Sequence, residues 1–508
     1  MSRFAKMKRL LLILLLVIVQ ALIIVLMINR FSEHFVYFYA LGTFISVWAF
    51  LYIVNGKSNP AYKIAWLIPI LFFPIFGGLL YLLLRGNKMS RREKKRLRHI
   101  SRIMPDFGLS EESDEIISEL ALKNAHAANQ ARYIYKNAQC PIFRNSDAAY
   151  LPSGEKKFEC MLIELEKAEK YIFLEYFIIR EGIMWDSILE VLERKASAGV
   201  DVRVMYDDFG CMLTLPDDFE KKLTEKGIKC RAFNRFIPII SFRYNNRDHR
   251  KICVIDGHTA ITGGVNLADE YINKYERFGH WKDSAVMVRG GAAFSFALMF
   301  LSIWNHGGSD PDDYERFFPE SFPATSAGYI QPYYDSPLDD ETVGETVYLN
   351  LINKAKKYVY IFTPYLIITN EMTTALSCAA KSGIDVRIVT PHIADKWFVH
   401  LVSRSYYEAL IESGVKIYEY TPGFLHSKSF VVDDEYSVVG TINLDYRSLY
   451  LHFECAAWLY GVSCIKDIKE DFLSTLKLCE EITLERCKSM SLPRRLLQSV
   501  LRIFAPLM

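Results

Sequence analysis

An eight-residue pattern, His-x-Lys followed five positions later by Asp, occurs twice in this chain at a constant offset of 177 residues. The first copy runs His249-Arg250-Lys251-Ile252-Cys253-Val254-Ile255-Asp256 and is followed by Gly263-Gly264-Val265-Asn266. The second runs His426-Ser427-Lys428-Ser429-Phe430-Val431-Val432-Asp433 and is followed by Gly440-Thr441-Ile442-Asn443. At average residue usage, one chance match in a chain of 508 residues has a probability of roughly a few per cent. Two matches with the same trailing G-x-x-N point instead to an internal duplication.

The flanking sequence repeats as well. Tyr171 to Ile178 is a buried-strand pattern, followed by a helical stretch and Gly199-Val200-Asp201-Val202-Arg203-Val204. Tyr358 to Tyr365, a helical stretch and Gly383-Ile384-Asp385-Val386-Arg387-Ile388 repeat that order. A further helix and a short strand follow in each half, at Gly227-Ile228-Lys229-Cys230 and Gly414-Val415-Lys416-Ile417. Strand, helix, strand, helix, strand is the α/β signature. The period is too long for a solenoid, so two pseudo-equivalent domains facing each other are expected.

The spacing carries a chemical expectation. His and Lys two apart on a strand point to one face. Two such halves meeting give two imidazoles and two ammonium groups in one site. Phosphodiester transfer needs a nucleophile, a proton donor for the leaving alcohol, and positive charge on the non-bridging oxygens. Histidine serves the first two roles near neutral pH. Lysine serves the third. His249, Lys251, His426 and Lys428 are the catalytic candidates, and Asp256 and Asp433 join them as the last motif positions, where they can anchor the loop or the lysine. Asn266 and Asn443 are candidates to donate amide hydrogen bonds to the phosphate. A nucleophilic histidine needs an acid to hold its tautomer. Each half offers one in an apolar strand, Asp283 and Glu454. No HExxH or CxxC ligand set is present, and the expected chemistry needs neither metal nor cofactor.

The apolar share is 51%, and much of it lies before residue 85. Leu10–Ile28, Val36–Val54 and Ile64–Leu84 are apolar runs long enough to cross a hydrocarbon core as helices. The third holds Pro69, Pro74 and Gly77-Gly78, so a re-entrant hairpin is an alternative for it. Arg85 to Arg98 carries eight Lys/Arg and the N-terminal tail four. The positive-inside rule wants both clusters in the cytoplasm. Three crossings separate them, whereas a dipping third run does not. The larger cluster makes the catalytic bulk cytoplasmic. Ten scattered cysteines agree with a reducing compartment. A net charge of +2 gives no sign of a nucleic-acid binder.

Taken together, these residues resemble the phospholipase D superfamily and, within it, the bacterial cardiolipin synthases. The likeness rests on the paired motifs, the apolar N-terminus, Asn246-Arg247-Asp248, His280-Trp281-Lys282-Asp283 and Asn443-Leu444-Asp445-Tyr446-Arg447-Ser448. Gly264 departs from the serine that many superfamily members carry, whereas Thr441 keeps a hydroxyl.

The resemblance implies an α/β fold of two pseudo-symmetric phospholipase D-like domains with one shared site, preceded by transmembrane helices. The expected organisation is a membrane-anchoring region at 1–90, a charged helical connector at 91–130, domains at 131–325 and 326–490, and a basic C-terminal segment at 491–508. It implies a ping-pong reaction in a bacterial cytoplasmic membrane. His249 takes the phosphatidyl group of one phosphatidylglycerol, His426 serves as acid and base, and a second phosphatidylglycerol accepts to give cardiolipin. Water as acceptor would make the enzyme a hydrolytic phospholipase D. Two lipid contacts beyond the anchor are expected. One is the apolar stretch Arg235–Arg243 before His249. The other is the amphipathic stretch Arg494–Phe504, its arginines on anionic lipid.

Overall fold

The computed structural model describes residues 35–56, 59–73, 109–144, 146–235, 245–306, 314–319, 327–338 and 341–507, with a few isolated positions before residue 82. Two mixed sheets dominate it. The first holds β1 (Ser146–Leu151), β2 (Tyr171–Tyr176), β3 (Asp201–Asp207), β4 (Lys229–Phe233), β5 (Lys251–Ile255), β6 (Thr259–Gly263) and β8 (Ala285–Gly290), with β7 (His280–Lys282) outside it. Its order is β1-β8-β6-β5-β2-β3-β4. The second holds β9 (Tyr329–Asp335), β10 (Tyr358–Phe362), β11 (Asp385–Pro391), β12 (Lys416–Tyr420), β14 (Ser429–Val432), β15 (Tyr436–Gly440), β16 (Glu454–Tyr460) and β17 (Cys479–Glu481), with β13 (Gly423–Leu425) outside it. Read as β9-β16-β15-β14-β10-β11-β12, it repeats the first sheet strand for strand, and β17 adds one edge strand. The parallel pairs β2–β3–β4 and β10–β11–β12 correspond, as do the antiparallel motif hairpins β5–β6 and β14–β15.

Burial follows from composition. β2, β5, β10 and β14 are buried at every position, as expected for strands covered on both faces. One apolar cluster runs through both halves, from Phe173, Ile252 and Val286 to Val359, Phe430 and Trp458. The halves therefore share a core. The helix Ala125–Ala138 packs on β9 of the second sheet and straddles the 130/131 boundary drawn from sequence.

The N-terminal module departs from three straight crossings. The run Leu10–Ile28, save four isolated residues, and the basic cluster Arg85–Arg98 lie outside the described residues. The second run forms the helix Phe35–Asn55, and the third forms Pro60–Phe72 and then breaks at Phe73. Beyond the break the chain folds back. The rings of Trp66 and Tyr81 meet at 5.4 Å, whereas a straight helix would hold those residues about 22 Å apart. A Cβ on Gly77 would lie 2.5 Å from the Ile70 backbone, and one on Gly78 would lie 2.5 Å from Ser46 Oγ. Only glycine lets these segments approach so closely. Among the described residues, no helix is long and apolar enough to cross a membrane. The module docks on the second half. Asn59 Nδ2 donates to the Tyr450 hydroxyl at 3.0 Å, and Tyr62 meets the rings of Tyr446 and Tyr450 edge-on.

Candidate active site

Two short interdomain pairings assemble the site. Asp248 bridges Phe453 in parallel, so the next residues in step are His249 and Glu454. β13 pairs with β7 in parallel, with Leu425 opposite Lys282, so the next residues in step are His426 and Asp283. Backbone bonds lock both registers, His249 N–H to the Phe453 carbonyl at 3.0 Å and His426 N–H to the Lys282 carbonyl at 2.7 Å. Each histidine is thus held by the carboxylate of the other half. His249 Nδ1 lies 2.9 Å from Glu454 Oε1, and His426 Nδ1 lies 2.7 Å from Asp283 Oδ2. In both rings Nε2 remains the nitrogen available to phosphorus.

The acids are supported unequally. Glu454 also accepts from the hydroxyls of Thr441 and Ser448. Asp283 accepts from Ser284 N–H at 2.8 Å. No first-half hydroxyl stands where Thr441 stands in the second, because a Cβ on Gly264 would lie 2.0 Å from Asp283 Oδ1. Burial, opposed by Glu454, pushes the His249 imidazole down to about 3. Burial together with the neighbouring Lys428, opposed by Asp283, pushes His426 down to about 4. Burial alone would raise both carboxyls, but the facing imidazoles more than offset it and hold Glu454 and Asp283 below the usual range. At neutral pH each pair is an ionised carboxylate holding a neutral imidazole.

The lysines belong to the same cluster. Lys251 Nζ donates to the His249 carbonyl at 2.5 Å, and Lys428 Nζ donates to the His426 carbonyl. Burial lowers Lys251 to about 8 and Lys428 to about 7. Lys428 feels Asp283, Lys251 and Glu454, and His426 feels Lys251. Charges from both halves therefore act on one another across one buried site.

The motif aspartates anchor loops, one of the two roles their position allowed. Asp256 is spent on structure, accepting the backbone N–H groups of Glu169, Lys170 and Tyr171 at 2.7–2.8 Å. Asp433 does the same for Lys356, Lys357 and Tyr358. Both sit at positive φ, 49° and 56°, in the turns after β5 and β14, at the strand ends away from the histidines. The amide of Asn266 is engaged internally, donating to the Tyr271 hydroxyl at 2.7 Å and accepting from Ile178 N–H. Asn443 is buried, and its Oδ1 makes no hydrogen bond to described protein atoms.

Sequence reasoning missed several supports. Arg250 is clamped between Glu175 at 2.5 Å and Asp248 at 3.0 Å, beneath the catalytic turn. A glutamate inside the apolar run Tyr171–Ile178 was the available signal. His452 lies two residues before Glu454, with Nδ1 3.7 Å from Oε1 and its ring 5.5 Å from that of His249. Among the described residues, neither His452 nitrogen has a hydrogen-bond partner. The corresponding position in the first half is Trp281, whose ring lies 5.4 Å from that of His426 at a tilt of 55°. Among the described residues, His249, His452 and Glu454 form a group whose ligand atoms converge within 4.8 Å. Its atoms are those of the His249–Glu454 pair and its neighbour.

Comparisons with known proteins agree with this geometry. The family model described as cardiolipin synthase, PLD-like domain, matches residues 161–285 and 348–476, and a phospholipase D-nuclease N-terminal model matches 44–86. A cardiolipin synthase of Geobacillus kaustophilus is 36% identical over 90% of this chain and 92% of its own. An uncharacterized protein of Streptococcus mutans is 46% identical over 90% of this chain and 99% of its own. In fold, the crystal structure of a Haemophilus influenzae phosphatidylserine synthase superposes with a TM-score of 0.57 at 13% identity, covering 75% of this chain and 98% of that one. With two sheets of one topology, crossed His–carboxylate pairs and relatives matched nearly end to end, the chain belongs to the cardiolipin synthase family of the phospholipase D superfamily.

Proposed function

We propose that the protein joins two phosphatidylglycerol molecules into cardiolipin and glycerol through a phosphatidyl-histidine. The observation that carries this reading is the pair of crossed imidazole–carboxylate contacts flanked by Lys251 and Lys428. The anionic phosphodiester enters between two imidazoles and favours a site holding one added proton. His426 is assigned that proton by the family resemblance, as the acid and base of the pair, which leaves His249 neutral to attack. His249 Nε2 forms the P–N bond while the P–O bond to the headgroup glycerol breaks, and His426 gives its proton to that oxygen. The phosphorylated ring now carries positive charge, which Glu454 neutralises. The terminal hydroxyl of a second headgroup then loses its proton to His426 and attacks phosphorus, and the P–N bond breaks. Lys251 and Lys428 hold the non-bridging oxygens throughout, so the charge stabilisation calls for no metal.

The reading includes membrane seating. Leu41, Phe44, Trp48, Leu51, Leu71, Phe72 and Phe73 are exposed on the N-terminal helices. A contiguous apolar surface of this kind suits lipid rather than water. With the third run turned back, both basic clusters can lie on the side of the catalytic domains. Phosphatidylglycerol vesicles as sole substrate test the reaction. Cardiolipin and glycerol in equal amounts are expected, whereas phosphatidic acid alone would make the enzyme a hydrolase.

A further inference from the structure

The C-terminal helix Leu492–Ile503 is mounted opposite to what its composition suggests. Three residues of its polar face bond to the protein, and Leu501 packs on the core beside them. Gln498 is buried and donates to the Leu401 carbonyl at 2.9 Å. Arg495 pairs with Glu408 at 2.8 Å. Arg502 donates to the Ser405 carbonyl at 3.0 Å and lies over the Tyr406 ring. These positions share one side of a 3.6-residue turn. Leu492, Leu496, Val500 and Ile503 share the other side and stand 82%, 68%, 45% and 39% exposed. A water-facing helix does the reverse.

We infer that this outward apolar stripe is a second lipid-seating surface, which inserts among acyl chains and needs no anionic headgroup. The surroundings favour lipid as the occupant. The turn Ala505–Leu507 that ends the helix packs against Pro60–Phe72, so the stripe adjoins the apolar N-terminal module. The supporting helix Trp397–Arg404 exposes Trp397 at 65%, an aromatic suited to a bilayer interface. Arg495 and Arg502 are bonded to the protein, which leaves Arg494 as the arginine of this helix without an ion pair among the described residues. The same turn packs on Tyr446–Tyr450, whose Ser448 hydroxyl holds Glu454, so the stripe and the catalytic acid are supported by one helix.

The inference rests on the membrane-seating part of the proposed function, and the test separates the two. p-Benzoylphenylalanine is placed at Leu496, at Val500 or at Phe72 in the full chain, which is reconstituted in phosphatidylcholine vesicles with or without phosphatidylglycerol and irradiated. Phospholipid adducts at Leu496 and Val500 are expected. Their yield should change less than about twofold with the anionic lipid or with salt, since apolar insertion is not screened. Adducts at Phe72 alone overturn the inference and leave the N-terminal seating standing. Adducts at the C-terminal positions alone do the opposite. Crosslinks from Leu496 to a second copy of the chain make the stripe a dimer interface and overturn it. A yield that falls about tenfold without phosphatidylglycerol returns the attraction to the arginines and also overturns it.

Discussion

Glu454→Gln removes one charge from the site and little else. The carboxylate is fully buried and accepts from His249 Nδ1, Thr441 and Ser448. An amide of the same shape can still accept from His249 through its oxygen, while its NH2 group faces hydroxyls able to accept. Orientation is therefore largely kept, and what goes is the negative charge opposite an imidazole that becomes cationic on phosphorylation. With charge centres about 4 Å apart and an effective dielectric of about 20, that interaction is worth about 4 kcal/mol. This corresponds to about a thousandfold in rate. Purified Glu454→Gln protein in phosphatidylglycerol vesicles should make cardiolipin about a thousandfold more slowly, with a thermal midpoint near that of the parent. Acid-quenched samples should hold less phosphatidyl-enzyme. A variant within tenfold of the parent rate would refute the idea that a carboxylate from the opposite half carries the nucleophile.

Further outcomes follow from the same geometry. Asp256→Ala leaves three backbone N–H groups without their acceptor, so it should cost stability, about 2–4 kcal/mol. The turnover of the folded fraction should stay near the parent's, and a selective loss of turnover would return Asp256 to the chemistry. Removing the neighbouring His452 imidazole, which lowers the His249 pKa, by His452→Asn should let His249 protonate at higher pH. The acid limb of kcat/KM should then move toward neutrality, and an unmoved limb would show that the two rings are not coupled. His249 and His426 titrate near 3 and 4 folded and near 6.5 as free groups, so between those values the unfolded chain binds more protons. Resistance to denaturant in detergent should therefore fall as pH drops from 6.5 toward 4, and less steeply in His249→Asn. Lys428 titrates near 7 in the free site, so kcat/KM should decline above about pH 7, while kcat at saturating lipid should decline later because the bound phosphate holds the proton. Coincident limbs would remove Lys428 from phosphate binding.

Much of this architecture could be read from residue order. The apolar runs at Tyr171 and Tyr358 became fully buried strands, and the 177-residue offset became two sheets of one topology. The candidate nucleophiles, lysines and tautomer-holding acids all fall in one cluster. What could not be read was pairing between distant segments. Periodicity tells which face a residue occupies, not which strand lies opposite, so the crossing of Glu454 to His249 and of Asp283 to His426 emerges only from the interdomain registers. Asp256 and Asp433 matched a catalytic pattern, but the positive φ that puts them in turns is a backbone property. The C-terminal helix was recognisable as amphipathic, yet amphipathicity does not say which face meets the protein. Pro69 and Gly77-Gly78 did signal the fold-back of the third apolar run, though not that it would dock on Tyr446 and Tyr450.

The central claim is that two histidines in one shared site take different roles. Mixing the protein with phosphatidylglycerol, quenching within one turnover under conditions that preserve P–N bonds, and mapping the adduct by peptide mass spectrometry tests it most directly. The account predicts a phosphatidyl group on His249, formed with one equivalent of glycerol and discharged as cardiolipin on addition of more phosphatidylglycerol. An adduct on His426, or cardiolipin formed at the full rate by His249→Ala, would contradict it.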